Sequence, residues 1–285
     1  MSDMNDNNGS PGQQGRAVDS HRWLSLYRCL VAAREIDRLE FEYVRRGLAF
    51  FHVSGAGHEA TAALGCHLSQ DDWLHCHYRD KALLLMRGLP YCEFFMSLLC
   101  KAGSHSAGRQ MSAHLSSPAL NVLSIVGPVG NNALQAAGVA AELVHRGRPG
   151  IVVCSVGDGS TQQGEFLEAV AEAVRENLSV LFLIQDNGWA ISTASRGRTF
   201  YSRNGHSARE FYGLPIVHVN GRDPIAAHRS FGRIVAKMRE ERGPALVWFE
   251  VERLADHSNA DDQTAYRDQT EIEAALRDAD PVANM

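Results

Sequence analysis

The stretch from Gly150 to Thr193 constrains the fold more than any other part of the chain. Two short apolar runs, 151–156 and 178–184, flank a helix-like run that ends near Asn177. Apolar runs of this kind on either side of one helix indicate a β-α-β unit whose parallel strands are buried on both faces. Ligands bind at the carboxyl ends of such strands, so the residues that follow each run are the first candidates for a site.

Glycine and polar residues follow both runs. Gly157-Asp158-Gly159 follows the first run, and Asn187 follows the second. A crossover sets the ends of parallel strands side by side, so Asp158 and Asn187 are predicted to converge. Their oxygens suit Mg²⁺, which takes its other ligands from phosphate and water. The glycines and the start of the next helix offer N–H groups to phosphate. The tripeptide alone is also typical of an ordinary turn, but the asparagine after the second strand favours the metal site.

Further apolar runs extend this unit into a sheet. Strands are predicted at 151–156, 180–185, 216–219 and 245–251, with a short strand leading into Tyr78-Arg79. Helices are predicted at 21–46, 60–68, 81–87, 91–100, 133–145, 208–212 and 225–239. Strands that alternate with helices indicate an α/β fold with a doubly wound parallel sheet flanked by helices.

Composition narrows the class of protein. With 285 residues, 45% of them hydrophobic, residues 21–285 are predicted to form a single domain and the polar residues 1–20 a disordered tail. The net charge of −5 argues against a nucleic-acid partner. No apolar run approaches the ~18 residues that a membrane span needs, and the first residues lack the apolar segment of a signal peptide. The 6 cysteines form no Cys-x-x-Cys pair, so reduced, buried thiols in a cytoplasmic protein are expected.

Two basic residues follow predicted strands at the same edge. Arg79 would place a guanidinium at a strand end, where it could hold a diphosphate through two hydrogen bonds. The adjacent Asp80 leaves a plain surface ion pair open as the alternative. His257 follows the last strand, and an imidazole there could donate to phosphate or move a proton. A solvated loop histidine is the alternative for that position.

Several longer blocks carry a resemblance to a known family. They are Gly157-Asp158-Gly159 with Asp186-Asn187, and the segments 108–111, 161–165, 186–193 and 257–262. The first pair resembles the thiamine diphosphate motif. Together the blocks resemble the alpha subunit, or alpha half, of the decarboxylating component of 2-oxo acid dehydrogenase complexes, closest to the branched-chain type and to forms with fused alpha and beta halves. The likeness extends from about Arg22 to about Pro281, and it implies the thiamine diphosphate-binding fold.

The resemblance implies thiamine diphosphate and Mg²⁺ as cofactors and assigns roles to particular residues. Asp158 and Asn187 would bind the metal together with the backbone carbonyl of Trp189, and His257 would serve as the catalytic residue. The cofactor-binding residues would be Tyr78, Arg79, Gly127, Val129, Gly157, Asp158, Gly159, Ser160, Asn187 and His257. Within that set, Gly127 and Val129 would hold the aminopyrimidine ring through backbone atoms, whereas Tyr78, Arg79 and His257 would contact the diphosphate.

Other polar residues are weaker candidates. The family places the turn that contains His52, Ser54 and Glu59 near the substrate entrance, although each of these residues also fits a turn or a helix cap. His114 ends the segment 108–114, which resembles a segment that lies near the active site in the family. The remaining pair, His75 and His77, has alternate spacing but no third metal ligand nearby, so both are interpreted as structural.

The implied activity is decarboxylation of a 2-oxo acid with acyl transfer to a lipoyl group. Because the family draws a glutamate from its beta partner, this chain is expected to hold half of an active site in an α2β2 assembly, with a lipoyl-bearing acyltransferase as a further partner. The alternatives are an acyloin-forming or transketolase-like two-subunit enzyme and a non-catalytic scaffold paralogue. The first would keep the cofactor and change the acceptor, whereas the second would not bind cofactor.

The sequence departs from the family pattern at three places. Trp189 stands where Tyr is usual, and Gln185 stands where the branched-chain type has Arg, so a diphosphate contact is expected to be lost or replaced. The chain ends at Met285, about where relatives continue or where a fused beta half would begin, which suggests a split or trimmed relative. Ser258 occupies the position that regulatory kinases phosphorylate in some relatives.

Overall fold

The computed structural model describes residues 11–285, with residues 11–20 as backbone only. Its main feature is a sheet of 6 strands. The strands are, in chain order, β1 Trp73–His75, β2 Val152–Gly157, β3 Val180–Asp186, β4 Trp189–Ala190, β5 Thr193–Ala194, β6 Ser202–Arg203, β7 His206–Ser207, β8 Glu210–Phe211, β9 Leu214–Asn220 and β10 Ala245–Glu250. The main sheet has the order β1-β2-β3-β10-β9-β8.

Parallel pairing dominates this sheet. Strands β1, β2, β3, β10 and β9 are parallel to their neighbours, and only β8 runs antiparallel, against β9. The short strands β4 with β5 and β6 with β7 form two separate antiparallel pairs. The predicted doubly wound parallel α/β sheet is confirmed, and its four long strands begin and end within two residues of the predicted positions.

Helices cover both faces of the sheet. They are α1 Pro11–Arg45, α2 Ala62–Gly65, α3 Lys81–Arg87, α4 Tyr91–Leu98, α5 Asn131–His145, α6 Gly164–Arg175, α7 Pro224–Glu241 and α8 Gln269–Asp278. Successive strand residues point to opposite faces: Val153 and Leu181 pack with α1, α2, α3 and α7, whereas Val152 and Val180 pack with α5 and α6. Burial on both faces explains why these strands are continuously apolar.

Three predicted helices differ from the observed ones. Helix α1 begins at Pro11 instead of about His21, and proline suits the first helical position because its missing N–H is not needed there. The disordered tail predicted for residues 1–20 otherwise lies outside the described residues. The helix predicted at 60–68 is a 3₁₀ turn, Glu59–Thr61, followed by the short α2. The helix predicted at 208–212 is wrong, because β8 pairs with β9 there.

The carboxyl ends of the central strands share one edge of the sheet. Gly157 of β2 lies opposite Gln185 of β3, and Asp186 of β3 lies opposite Glu250 of β10. Strand β1 ends at His75, so the predicted strand leading into Tyr78-Arg79 is shorter than expected and these residues lie in the turn after it.

The described part of the chain also shows the state of the cysteine thiols and whether any helix could span a membrane. All six cysteines are free, but Cys92 and Cys100 are exposed, so the expectation that the thiols are buried is wrong for these two. Between residues 11 and 285 there is no helix with the length and apolar character needed to span a membrane. The single-domain organisation of residues 21–285 stays a prediction.

Candidate active site at the carboxyl edge of the sheet

A cavity of about 190 Å³ lies at the carboxyl edge of the sheet. Its lining comes from the turn after β1, the end of β2 with the following 3₁₀ turn, the segment after β3, and the loop after β10. The lining residues are His77, Tyr78, Arg79, Val129, Gly157, Asp158, Gly159, Ser160, Asn187, Trp189, Ala190, Ile191 and His257. Segments far apart in sequence therefore meet at the edge where open α/β sheets bind ligands.

The cavity contains nearly every residue that the sequence proposed for a site. Of the proposed set, only Gly127 is absent from its lining, and Gly127 lines an adjoining cavity of about 20 Å³ that shares Tyr78, Val129 and Ser160 with it. The convergence of these residues is thus a structural fact, while their roles toward a cofactor stay proposals.

Asp158 is held firmly at the end of β2. The strand passes directly into a 3₁₀ turn, Asp158–Gln162, so the carboxylate lies at the strand end with 2% of the residue exposed. The hydroxyl of Ser195 donates a hydrogen bond to it. A Cβ on Gly159 would come within 2.7 Å of the Ala190 Cβ, so this position needs glycine for close packing against β4.

Asn187 is anchored by contacts on both ends of its amide. Its Oδ1 accepts a hydrogen bond of 3.0 Å from the backbone N–H of Trp189, and its Nδ2 lies 3.3 Å from Nε2 of His58. The Trp189 indole donates to Glu271, away from the amide. The preceding Asp186 accepts from the hydroxyl of Tyr201 at 3.0 Å.

The electrostatics at this point favour a bound cation. Burial, followed by the neighbouring Asp186 carboxylate, raises the pKa of Asp158 to about 6. Burial also raises the pKa of Asp186. Within residues 21–285, no lysine or arginine pairs with the Asp158 carboxylate, whose side-chain donor is Ser195. A buried carboxylate without a cationic partner, beside an amide oxygen, is a donor set that fits Mg²⁺.

Arg79 and His257, which also line the cavity, form one hydrogen-bonded unit. The Arg79 guanidinium donates to the carbonyl of Ser54, and its Nη2 lies 3.0 Å from Nδ1 and 3.1 Å from the carbonyl oxygen of His257. It also lies 5.2 Å from the centre of the Tyr78 ring. These contacts fix a positive group in a buried position, which suits a diphosphate. The alternative of a surface ion pair between Arg79 and Asp80 is wrong, because Arg79 is buried and binds Ser54 and His257.

The ionisation of His257 follows from these neighbours. Because a guanidinium can only donate, the Nδ1 atom that faces Arg79 is an acceptor, and the neutral ring carries its proton on Nε2. Burial, helped by the cations Arg79 and Arg253, lowers the pKa of His257 to about 4. Near neutral pH the ring is therefore uncharged and has one N–H to offer a ligand.

We expect His257 to stay neutral down to about pH 5 in the ligand-free chain. Histidine NMR titration, with His257→Gln to assign the signal, measures this directly. Pyrophosphate should raise the pKa, because an anion favours imidazolium. Between pH 6.5 and about 4 the unfolded chain takes up a proton that folded His257 does not, so this residue lowers stability as the pH falls through that window. A ligand-free pKa at or above 6.5 would contradict this assignment.

Sequence reasoning missed several residues of the site. His77, interpreted as structural, lines both cavities, and its position directly before Tyr78-Arg79 was the available signal. Ser195, which binds Asp158, comes from a loop with no recognisable pattern. His58 and Gln185 form a buried pair behind Asn187, and nothing in their spacing indicated that they touch.

The weaker candidates lie outside this cavity. His52 and the hydroxyl of Ser54 bind Asp37, at 3.1 Å and 2.6 Å. Both residues line a separate cavity of about 230 Å³. Glu59 pairs with Arg34 at 2.6 Å. Nδ1 of His114 donates a hydrogen bond of 3.0 Å to the Ser112 carbonyl oxygen, which can only accept, so Nδ1 carries the proton.

The parallel sheet and its carboxyl-edge cavity define the general class, a doubly wound α/β ligand-binding fold. Comparison with known proteins narrows it. The family model described as "Dehydrogenase E1 component" matches residues 27–285. The chain therefore belongs to the dehydrogenase E1 component family.

Curated relatives agree with this membership. The chain is 30% identical over 258 residues to 2-oxoisovalerate dehydrogenase subunit alpha 1 of Arabidopsis thaliana, covering 90% of this chain and 54% of that protein. It is 31% identical over 254 residues to 3-methyl-2-oxobutanoate dehydrogenase subunit alpha of Mycobacterium tuberculosis, and the match covers 88% of this chain and 66% of that protein. It is 30% identical over 273 residues to 2-oxoisovalerate dehydrogenase subunit alpha of Bacillus subtilis, and the match covers 94% of this chain and 82% of that protein. The resemblance to alpha subunits is confirmed, and the chain spans about half to four fifths of these relatives.

Proposed function

We propose that the chain is the alpha subunit of a thiamine diphosphate- and Mg²⁺-dependent 2-oxo acid dehydrogenase, which decarboxylates its substrate and transfers the acyl group to a lipoyl group. The observation that carries this proposal is the convergence of Asp158, Asn187, Arg79 and His257 on one cavity. Family membership supports it. The names of the three relatives given above also support it, since all three are alpha subunits of enzymes for branched 2-oxo acids.

Each side of the cavity has a distinct proposed role. Asp158, the Oδ1 atom of Asn187 and the backbone carbonyl of Trp189 would hold Mg²⁺. Arg79 and Tyr78, with His257, would hold the diphosphate, helped by the backbone at 157–160. Gly127 and Val129 would hold the aminopyrimidine ring through backbone atoms. The buried carboxylate and the guanidinium both line this one cavity, which suits a ligand that carries both a metal ion and two phosphates.

When bound, thiamine diphosphate supplies the nucleophilic carbon and the electron sink that decarboxylation of a 2-oxo acid requires. The side chains of this protein would bind the cofactor and orient its ligand groups. Ser195 fixes the rotamer of Asp158, and Trp189 N–H fixes the amide of Asn187. His257 can donate its Nε2 proton to a phosphate or substrate oxygen, and Arg79 keeps that tautomer in place.

The proposal includes an obligate beta partner, in an α2β2 assembly. Val129 and Ile191 line the cavity and are 49% and 54% exposed. Exposed apolar groups at the mouth of a cavity are suited to cover by another chain. A lipoyl-bearing acyltransferase as acyl acceptor, a 2-oxo acid as substrate, and a cytoplasmic location are further parts of the proposal.

The test is calorimetric titration of thiamine diphosphate with Mg²⁺, followed by product analysis. We expect binding that tightens when the beta partner is present, and decarboxylation of a branched 2-oxo acid only by the two chains together, with the acyl group recovered on a lipoyl domain. Full decarboxylation by the isolated chain would refute the proposal that this chain holds only half of the active site. Transfer to an aldehyde instead would favour an acyloin-forming enzyme, and no binding in either setting would favour the scaffold.

A further inference from the structure

We propose that His58 and Gln185 are positioning residues that set the orientation of the Asn187 side-chain amide, so that its oxygen faces the cation position. The inference concerns a chain of three hydrogen bonds behind the cavity, from Asp80 through Gln185 and His58 to Asn187. It rests on the proposed function, because that function makes Asn187 a metal ligand. Neither His58 nor Gln185 lines the cavity.

The first link fixes the amide of Gln185. Its Nε2 lies 2.6 Å from Oδ1 of Asp80 and 2.6 Å from the hydroxyl of Ser155. The other carboxylate oxygen of Asp80 accepts from the backbone N–H of His77 at 2.7 Å. An ionised carboxylate can only accept, so the NH₂ end of Gln185 must face Asp80 and its oxygen must face the other way.

The second link fixes the tautomer of His58. Oε1 of Gln185 lies 2.6 Å from Nδ1 of His58. A carbonyl oxygen only accepts, so Nδ1 carries the proton and Nε2 of the neutral ring is left as an acceptor. The groups are enclosed, with His58 1% exposed and Gln185 fully buried, so no solvent can substitute for either partner.

The third link fixes Asn187. Nε2 of His58 needs a donor, and Nδ2 of Asn187 lies 3.3 Å from it. The amide nitrogen is thereby turned toward His58, and Oδ1 is left to accept from Trp189 N–H and to face the cavity. With the opposite tautomer, His58 would donate from Nε2 and compete with the Trp189 N–H for the oxygen of Asn187. An NH₂ group turned toward the cavity would repel a cation, so the relay and the Trp189 N–H together keep the oxygen in the position that can bind one.

This arrangement also explains Gln185 itself. The sequence suggested that a glutamine here loses or replaces a diphosphate contact. The side chain does not line the cavity, which agrees with loss of that contact, and it makes three hydrogen bonds inside the protein. Its contribution to the site passes through His58 and Asn187.

The first test measures the tautomer in the ligand-free full-length chain at pH 8. Nitrogen NMR of ¹⁵N-histidine-labelled protein, with His58→Gln to assign the signal, should show His58 with a protonated Nδ1 and an unprotonated Nε2. A protonated Nε2 would overturn the inference. The tautomer is measured on the unmodified chain, and the variant is needed only to assign the signal.

The second test measures the affinity for Mg²⁺ with thiamine diphosphate by calorimetry. His58→Leu, which can neither donate nor accept, should weaken binding about tenfold or more, whereas His58→Gln keeps both a donor and an acceptor and should recover most of it. His75→Leu is the matched control, since His75 is also buried but binds Gln135 outside the relay. Circular dichroism checks folding.

The outcomes separate this inference from the proposed function. If the unmodified chain binds the two probes and His58→Leu binds them as well as His75→Leu does, the relay has no positioning role and the inference fails alone. If the unmodified chain does not bind them with or without its partner, the proposed function fails, and the tautomer measurement still shows whether the relay exists.

Discussion

Replacement of Asp158 by asparagine is expected to reduce Mg²⁺-dependent binding of thiamine diphosphate at least 100-fold while leaving the chain folded. The substitution keeps the size of the side chain and an oxygen for the Ser195 hydroxyl, but removes the negative charge that balances the cation. Stability without ligand should be unchanged or higher, because the variant no longer buries a carboxylate beside Asp186 without a cation. Calorimetry and thermal denaturation of the same samples measure both quantities.

Asp72→Asn is the matched control for this experiment. Asp72 is also fully buried, but it precedes β1 and so lies at the opposite edge of the sheet, where its carboxylate pairs with Arg239 at 2.6 Å. This variant should lose stability, because the buried carboxylate loses the charge that pairs with the partly exposed Arg239, and should bind cofactor as the unmodified chain does. Equal loss of binding in both variants would mean that Asp158 acts through folding and not as a ligand.

Much of the site was predictable because two patterns in the sequence have direct spatial meaning. Apolar runs predict buried parallel strands, and the residues just after such strands must share one edge, which is why the sequence alone predicts that Asp158, Asn187 and His257 lie together. Glycines at 157 and 159 marked the close approach of backbone, and the packing of Gly159 against Ala190 gives the reason for one of them.

The parts that were not predictable depend on contacts between side chains from unrelated segments. His58 lies in a glycine-rich turn and Gln185 near the end of an apolar strand, and only the packed fold shows that they form one hydrogen-bonded pair. Ser195 reaches Asp158 from a loop without periodicity. The helix predicted at 208–212 failed for a related reason, since pairing of β8 with the neighbouring β9 overrides local preference.

Lys81→Met is expected to lower the free energy of unfolding by about 3–5 kcal/mol at neutral pH, the cost of leaving buried charges unpaired. The Lys81 ammonium is 3% exposed and pairs with Asp37 at 2.5 Å and Glu40 at 2.6 Å, between α1 and the start of α3. Burial alone would raise the pKa of Asp37, but Lys81 and His52 hold it well below its usual range. Chemical denaturation measures the difference between the two chains.

The pH dependence and a matched control make this prediction specific. A depressed carboxyl pKa contributes stability that is present above about pH 4 and lost below it. The unmodified chain should therefore lose this contribution on acidification, and its advantage over Lys81→Met should shrink toward pH 4 as Asp37 and Glu40 become protonated in the variant. Lys237→Met removes an exposed ammonium paired with Glu241 at 3.5 Å and should change stability by less than about 0.5 kcal/mol. Similar losses of unfolding free energy in both variants would show that burial of Lys81 with Asp37 and Glu40 makes their pairing no more important to stability than an exposed pair.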